Sequence, residues 1–134
     1  MPSIIDVRTR SRKGFVDVTP LVAEAVGASG VPSGMLPLCV PSTAAGLTIS
    51  GNAGPDVVAD IIRALSQLVP RDLSLFRHRE GSSAAHIKAS PMGSAAQVLI
   101  GDGRLGLSTW QAVHFGEFDG PRARRLWVQL SPDR

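Results

Sequence analysis

Aromatic residues are scarce: 134 residues include no tyrosine, two tryptophans and four phenylalanines. Few platforms are left for stacking bases, and no helix-turn-helix, zinc-finger or RNP pattern appears. Both points argue against a nucleic-acid surface, although the net charge is +3. Cysteine is nearly absent. Cys39 stands alone in the run MLPLCVP, which excludes an internal disulfide and reads as a packed thiol. Lysine is also rare, with only Lys13 and Lys88 against twelve arginines. No apolar run approaches the length of roughly 20 residues that a membrane span needs. The start, MPSIIDVRTRSRKG, has no apolar stretch behind a basic leader. The expectation is a cytoplasmic protein without a signal peptide or membrane contact.

What is present suits a globular chain: 43% hydrophobic and 19% charged residues. The length predicts a single domain over residues 1–134. SIIDVRTR and KGFVDVTP alternate apolar and polar residues and read as two strands of a hairpin. Thr19 reads as the cap of a helix with Pro20 in its first turn and Leu21, Val22, Ala25 and Val26 as its stripe; Gly27 and Gly30 end it. GMLPLCVP is an apolar strand whose Pro37 predicts an edge or a bulge. Leu47 to Ile49 form a short strand. PDVVADIIRALSQLV is the clearest helix, with Val57, Val58, Ile61, Ile62, Leu65, Leu68 and Val69 on one face. Residues 71–84 read as a loop. AAQVLIG, RLGLS, TWQAVHFGEF and RARRLWVQL read as strands divided by glycines and Asp-Gly turns. The order gives an α+β fold: a largely antiparallel β-sandwich with two packed helices.

Local chemistry leaves several readings open. Ser42 and Thr43 in PSTAAG either meet a ligand or satisfy a turn. In HIKAS, read as a strand, His86 and Lys88 share a face and can hold a phosphate; the other reading is one solvated and one half-buried side chain. Glu117 is a general base or an arginine partner. His114, between Val113 and Phe115, reads as a strand residue. His78 and His86, eight apart, match no metal spacing by themselves. FDGPR is first a tight turn.

Taken in order, SGVPSGMLPLCVPSTAAGLTISGN, a helix ending LSQLVP, AAHIKASPMGSA and GRLGLSTWQAVHFGEFDGPRARR resemble the secondary thiamine-phosphate synthase family, also called YjbQ. HIKAS, the pair GRL and STWQ, and FGEFDGPR carry most of the resemblance. It implies a YjbQ-like sandwich that forms a homotrimer, a pocket that binds phosphate and zinc, and a transferase activity joining a pyrimidine pyrophosphate to a thiazole phosphate. On that resemblance His86 and Glu117 are catalytic. Ser42, Thr43, Asn52, Lys88, Arg104, Thr109, Trp110 and Gln111 bind ligand, and His78 and His86 bind metal.

This chain departs from the family pattern. Ser42 stands where a histidine is expected, Ala44 where a threonine is, Ser50 and Gly51 where an Asn-Glu pair is, and Ser82 and Ala84 where Asn and Asp are. A hydroxyl is a poor zinc ligand, so the resemblance implies a divergent member with a weakened metal site. Three classes stay open: a thiamine-phosphate synthase-like enzyme with weak or lost catalysis, a non-catalytic module for a small phosphorylated metabolite, and a structural trimer.

Overall fold

The computed structural model describes residues 3–70, 77 and 83–134. Nine strands and three helices appear among them: β1 (Ser3–Arg8), β2 (Gly14–Asp17), α1 (Thr19–Ser29), β3 (Gly34–Cys39), β4 (Ala45–Gly51), α2 (Pro55–Leu68), α3 (Ser83–Met92), β5 (Ala95–Gly101), β6 (Arg104–Leu105), β7 (Gln111–Glu117), β8 (Ala123–Val128) and β9 (Ser131–Pro132). The larger sheet runs β1-β8-β3-β5-β6, with β9 also on β3; the smaller runs β2-β7-β4. Every pairing is antiparallel. No helix among the described residues is long and apolar enough to cross a membrane.

Alternation sets the faces. On β8, Leu126 and Val128 are buried while Trp127 is exposed. Leu36 and Leu38 of β3, Leu47 of β4 and Phe115 of β7 join them in one core, closed by Val22 and Val26 of α1. Removing such side chains from water supplies roughly 1.5–3 kcal/mol each. The α+β sandwich expected from the sequence is the observed architecture, with three helices instead of two.

Four local expectations need correction. First, β1 and β2 form no hairpin: β1 pairs β8 and β2 pairs β7, so residues 9–13 cross between sheets. Second, Thr19 does not cap α1. Its hydroxyl accepts the Val113 amide at 2.8 Å, and the Asp17 carboxylate accepts the Thr19 amide at 2.9 Å. Third, Cys39 is exposed, because it lies on the outer face of β3 opposite Trp127. Fourth, HIKAS is helical within α3. Alternation over three residues cannot outweigh an alanine-rich segment whose Ala84, Ala85 and Ala89 bury one face.

Pro37 lies inside the larger sheet. It pairs with Gln97 of β5 on one side. On the other, β9 takes only Gly34 and Met35 and β8 only Leu38 and Cys39, so the proline sits at a break in the ladder.

A pair of glycines places α3. Gly46 and Gly116 are register partners on β4 and β7. A Cβ on Gly46 would lie 2.8 Å from the Gly93 carbonyl oxygen, and one on Gly116 would lie 2.7 Å from Met92 Sδ. The flat spot lets the end of α3 settle on the sheet, where the Leu47 amide donates to the Gly93 oxygen at 3.0 Å. Ala44, Ala85, Ala89 and Phe118 pack beside it, with Leu65 of α2 and Met92 against them.

Two cavities flanking helix α3

Because HIKAS is helical, His86 and Lys88 are about 200° apart around the helix axis. They serve different cavities. His86 lines an open cavity of about 530 Å³ with Ser42, Thr43, Ala45, Ala89, Ser90, Gly93 and Ser94. Lys88 lines another of about 400 Å³ with Arg12, Lys13, Ser66, Pro70, Ala84, Ala85 and Phe118. The shared phosphate site expected from HIKAS is therefore not present as one site.

The Lys88 cavity is strongly cationic. Lys88 is 5% exposed and has no hydrogen bond or ion pair among the described residues. Burial, and then the charges of Lys13 and Arg12, hold its ammonium pKa below the ordinary lysine value. Lys13 donates to the Ser66 hydroxyl of α2 at 2.8 Å. Arg12 reaches Asp119 only at 3.8 Å, and Asp119 is held more closely by Arg122 at 3.1 Å. The sheet crossover supplies Arg12 and Lys13, and its seat is the turn after β7. The Gly120 amide donates to the Arg12 carbonyl at 2.8 Å, and the Thr9 amide to the Arg122 carbonyl at 3.0 Å.

Glu117 anchors that seat. It is 1% exposed. Arg124 grips it in a fork, Nε to Oε1 at 2.9 Å and Nη2 to Oε2 at 2.7 Å. The Thr9 hydroxyl donates to Oε1 at 2.7 Å, and the Phe118 and Asp119 amides donate to Oε2, each at 3.1 Å. Burial alone would raise its pKa, but the Arg124, Thr9 and Asp119 hydrogen bonds together with the Arg124 charge hold the carboxyl below its ordinary value. Both oxygens are occupied by donors, which is the geometry of an arginine partner and anchor.

In the His86 cavity, Ser42 Oγ accepts from Arg124 Nη1 at 3.0 Å and from the Ala44 amide at 3.2 Å. His86 Nδ1 lies 3.0 Å from the Thr43 carbonyl, which accepts only, so the proton sits on Nδ1. Among the described residues, the donor set does not complete the zinc site that the family resemblance implies. A guanidinium points at Ser42, Nδ1 carries a proton, and no three His, Cys, Asp or Glu side chains converge among the described residues. His78 lies outside the described residues. Well under one zinc per chain is expected by elemental mass spectrometry of untagged protein purified without chelator, because too few protein ligands converge to hold the ion; near one zinc per chain would contradict the assignment.

The remaining predicted ligand residues lie elsewhere. Asn52, Trp110 and Gln111 meet at the far end of β4, about 20 Å along the strand from Ala45. There the Asn52 amide donates to the Trp110 carbonyl at 3.0 Å, and Gln111 Oε1 accepts the Ser108 amide at 2.9 Å. Trp110 is 65% exposed, and Thr109 beside it lies in the same turn. Arg104 follows the Asp102-Gly103 turn at the edge of the larger sheet and lines neither cavity. His114 is a buried β7 residue whose Nε2 donates to the Gly51 carbonyl at 3.0 Å.

Sequence reasoning missed Arg12, Lys13 and Ser66 as cavity residues. The sequence carries no signal for them: that the chain's two lysines, Lys13 and Lys88, line the same cavity is visible only in the structure.

Known proteins share this design. The family profile described as UPF0047 protein YjbQ-like matches residues 3–133. UPF0047 protein MJ1081 of Methanocaldococcus jannaschii is 44% identical over 128 residues, covering 96% of this chain and 92% of its own. UPF0047 protein YugU of Bacillus subtilis is 38% identical, covering 97% and 98%. A crystal structure of a YjbQ/UPF0047 family protein from Clostridium acetobutylicum superposes with a TM-score of 0.91 at 45% identity, covering 96% of this chain and 98% of that one. The hypothetical protein APE1520 from Aeropyrum pernix superposes with a TM-score of 0.92 at 28% identity, covering 99% of each chain. With the profile spanning nearly every residue and the sandwich superposing throughout, this chain belongs to the YjbQ-like UPF0047 family.

Proposed function

We propose that this protein binds a small phosphorylated metabolite, with the phosphate held by Lys88, Arg12, Lys13 and Ser66. One observation carries the reading: Lys88 is 95% buried, beside two other cations, with no carboxylate bonded to it among the described residues. With its stem buried and its ammonium opening on the cavity beside two like charges, Lys88 gains from an anion there, and a phosphate supplies it. Glu117 enters as a positioning residue. Through Thr9, Arg124 and the turn after β7 it holds the crossover that carries Arg12 and Lys13.

Binding is favoured over a thiamine-phosphate synthase-like transfer by the separation of the groups such a transfer would use. Lys88, His86 and Arg104 stand on three different surfaces of the chain. The homotrimer implied by the family resemblance is part of the proposal; sedimentation equilibrium at one or three times 14.1 kDa decides it.

The test is thermal unfolding with and without inorganic phosphate, for the wild type and Lys88→Met. Phosphate at about 100 times its Kd raises wild-type stability by about 2.7 kcal/mol. Lys88→Met abolishes that rise, and its ligand-free melting temperature is higher than wild type because a partly desolvated charge beside Lys13 and Arg12 has gone. An undiminished rise in the variant would contradict the proposal.

A further inference from the structure

We propose that the ligand is amphiphilic: a soluble phosphate monoester whose anion sits in the Lys88 cavity and whose apolar body lies along α2. The inference rests on the anion site proposed above and identifies what the phosphate is attached to.

An open groove of about 530 Å³, distinct from the His86 cavity, adjoins the Lys88 cavity and shares Lys13 and Ser66 with it. Its remaining lining is Ala59, Ile62, Arg63 and Gln67, all from α2. The Lys13–Ser66 hydrogen bond of 2.8 Å thus stands on the boundary between a cationic chamber and a chamber floored by a helix. Helix α2 carries a full apolar stripe, yet none of its side chains is fully buried. Ile62 keeps part of its surface outside the core, and Leu68 is 79% exposed. Among the described residues no carboxylate lines either chamber.

These features select a ligand by chemistry. An anion is drawn to Lys88, Arg12 and Lys13, while a hydrocarbon body gains by covering Ala59, Ile62 and the stems of Lys13 and Arg63. Inorganic phosphate would use the first chamber only. A highly polar phosphate ester would leave the α2 chamber wet and gain nothing there.

Calorimetric titration of the full chain with inorganic phosphate, butyl phosphate and hexyl phosphate tests this. Affinity should rise along the series by roughly three- to four-fold for each methylene buried. Ala59→Gln changes an exposed helical position to another good helix former, so the fold is kept. In that variant the advantage of hexyl phosphate over inorganic phosphate should fall at least several-fold. Equal affinities across the series, or a wild-type advantage in the variant, overturn the proposal while leaving the anion site standing. Failure of the wild type to bind inorganic phosphate at all removes the anion site itself. Co-sedimentation with vesicles of phosphatidic acid in phosphatidylcholine, without any gain for hexyl phosphate, assigns the surface to a membrane headgroup and overturns the soluble-ligand proposal.

Discussion

Replacing Glu117 with glutamine is expected to cost roughly 3 kcal/mol of folding stability, read as a lower midpoint in urea with an unchanged slope. Glu117 accepts five hydrogen bonds, from Thr9, Phe118, Asp119 and two nitrogens of Arg124. Every neighbour is a donor. At the Oε2 position a glutamine amide nitrogen would face only donors, the Phe118 and Asp119 amides and Arg124 Nη2; at the Oε1 position only the Thr9 hydroxyl could turn to accept from it; in either orientation Arg124 loses its counter-charge. The figure is at the low end for a broken buried pair because Arg124 keeps 14% of its side chain in solvent.

The same pair sets an acid limb. Glu117 ionises at lower pH in the folded chain than in the unfolded one. Its contribution is therefore complete above the unfolded value near 4.5 and is lost as pH falls through the folded value. Wild-type stability should drop over that acid range, and Glu117→Gln should flatten the drop. A variant with wild-type stability and an equally steep acid limb would show that the pair anchors nothing.

Gly120→Ala should be nearly as damaging, at roughly 2–3 kcal/mol. A Cβ at Gly120 would collide with the Ser11 carbonyl oxygen and would lie 2.7 Å from Glu117 Cγ and 2.9 Å from Thr9 Oγ1. A backbone carbonyl cannot swing aside as a long side chain can. Relief must come from moving the crossover, and that displaces Arg12 and Lys13. Phosphate affinity should fall together with the melting temperature. Gly27→Ala is the control: it lies within α1, and its Cβ meets nothing within 4 Å. It should be neutral or stabilising by up to about 1 kcal/mol. If Gly120→Ala behaves like Gly27→Ala, the crossover is not seated as described.

The strand segments were legible wherever one face is buried. Leu126 and Val128 inward against Trp127 outward can be read from alternation alone, and so can the stripe of α2. HIKAS was misread because three alternating residues also fit a helix, and the misreading placed His86 and Lys88 together. The hairpin was misread for a different reason. A short polar connection between two strands usually closes a turn, but here Thr9 is satisfied by Glu117, 108 residues away.

By itself, the sequence determined the single-domain α+β class, the inward and outward faces of its strands, and the family, because periodicity and motif order are properties of the chain alone. Tertiary structure decided which charges meet. Lys13 and Lys88 line one cavity only because residues 9–13 cross between sheets and α3 settles on Gly46 and Gly116. That convergence follows from long-range register and close backbone approach, and no local pattern of residues encodes either.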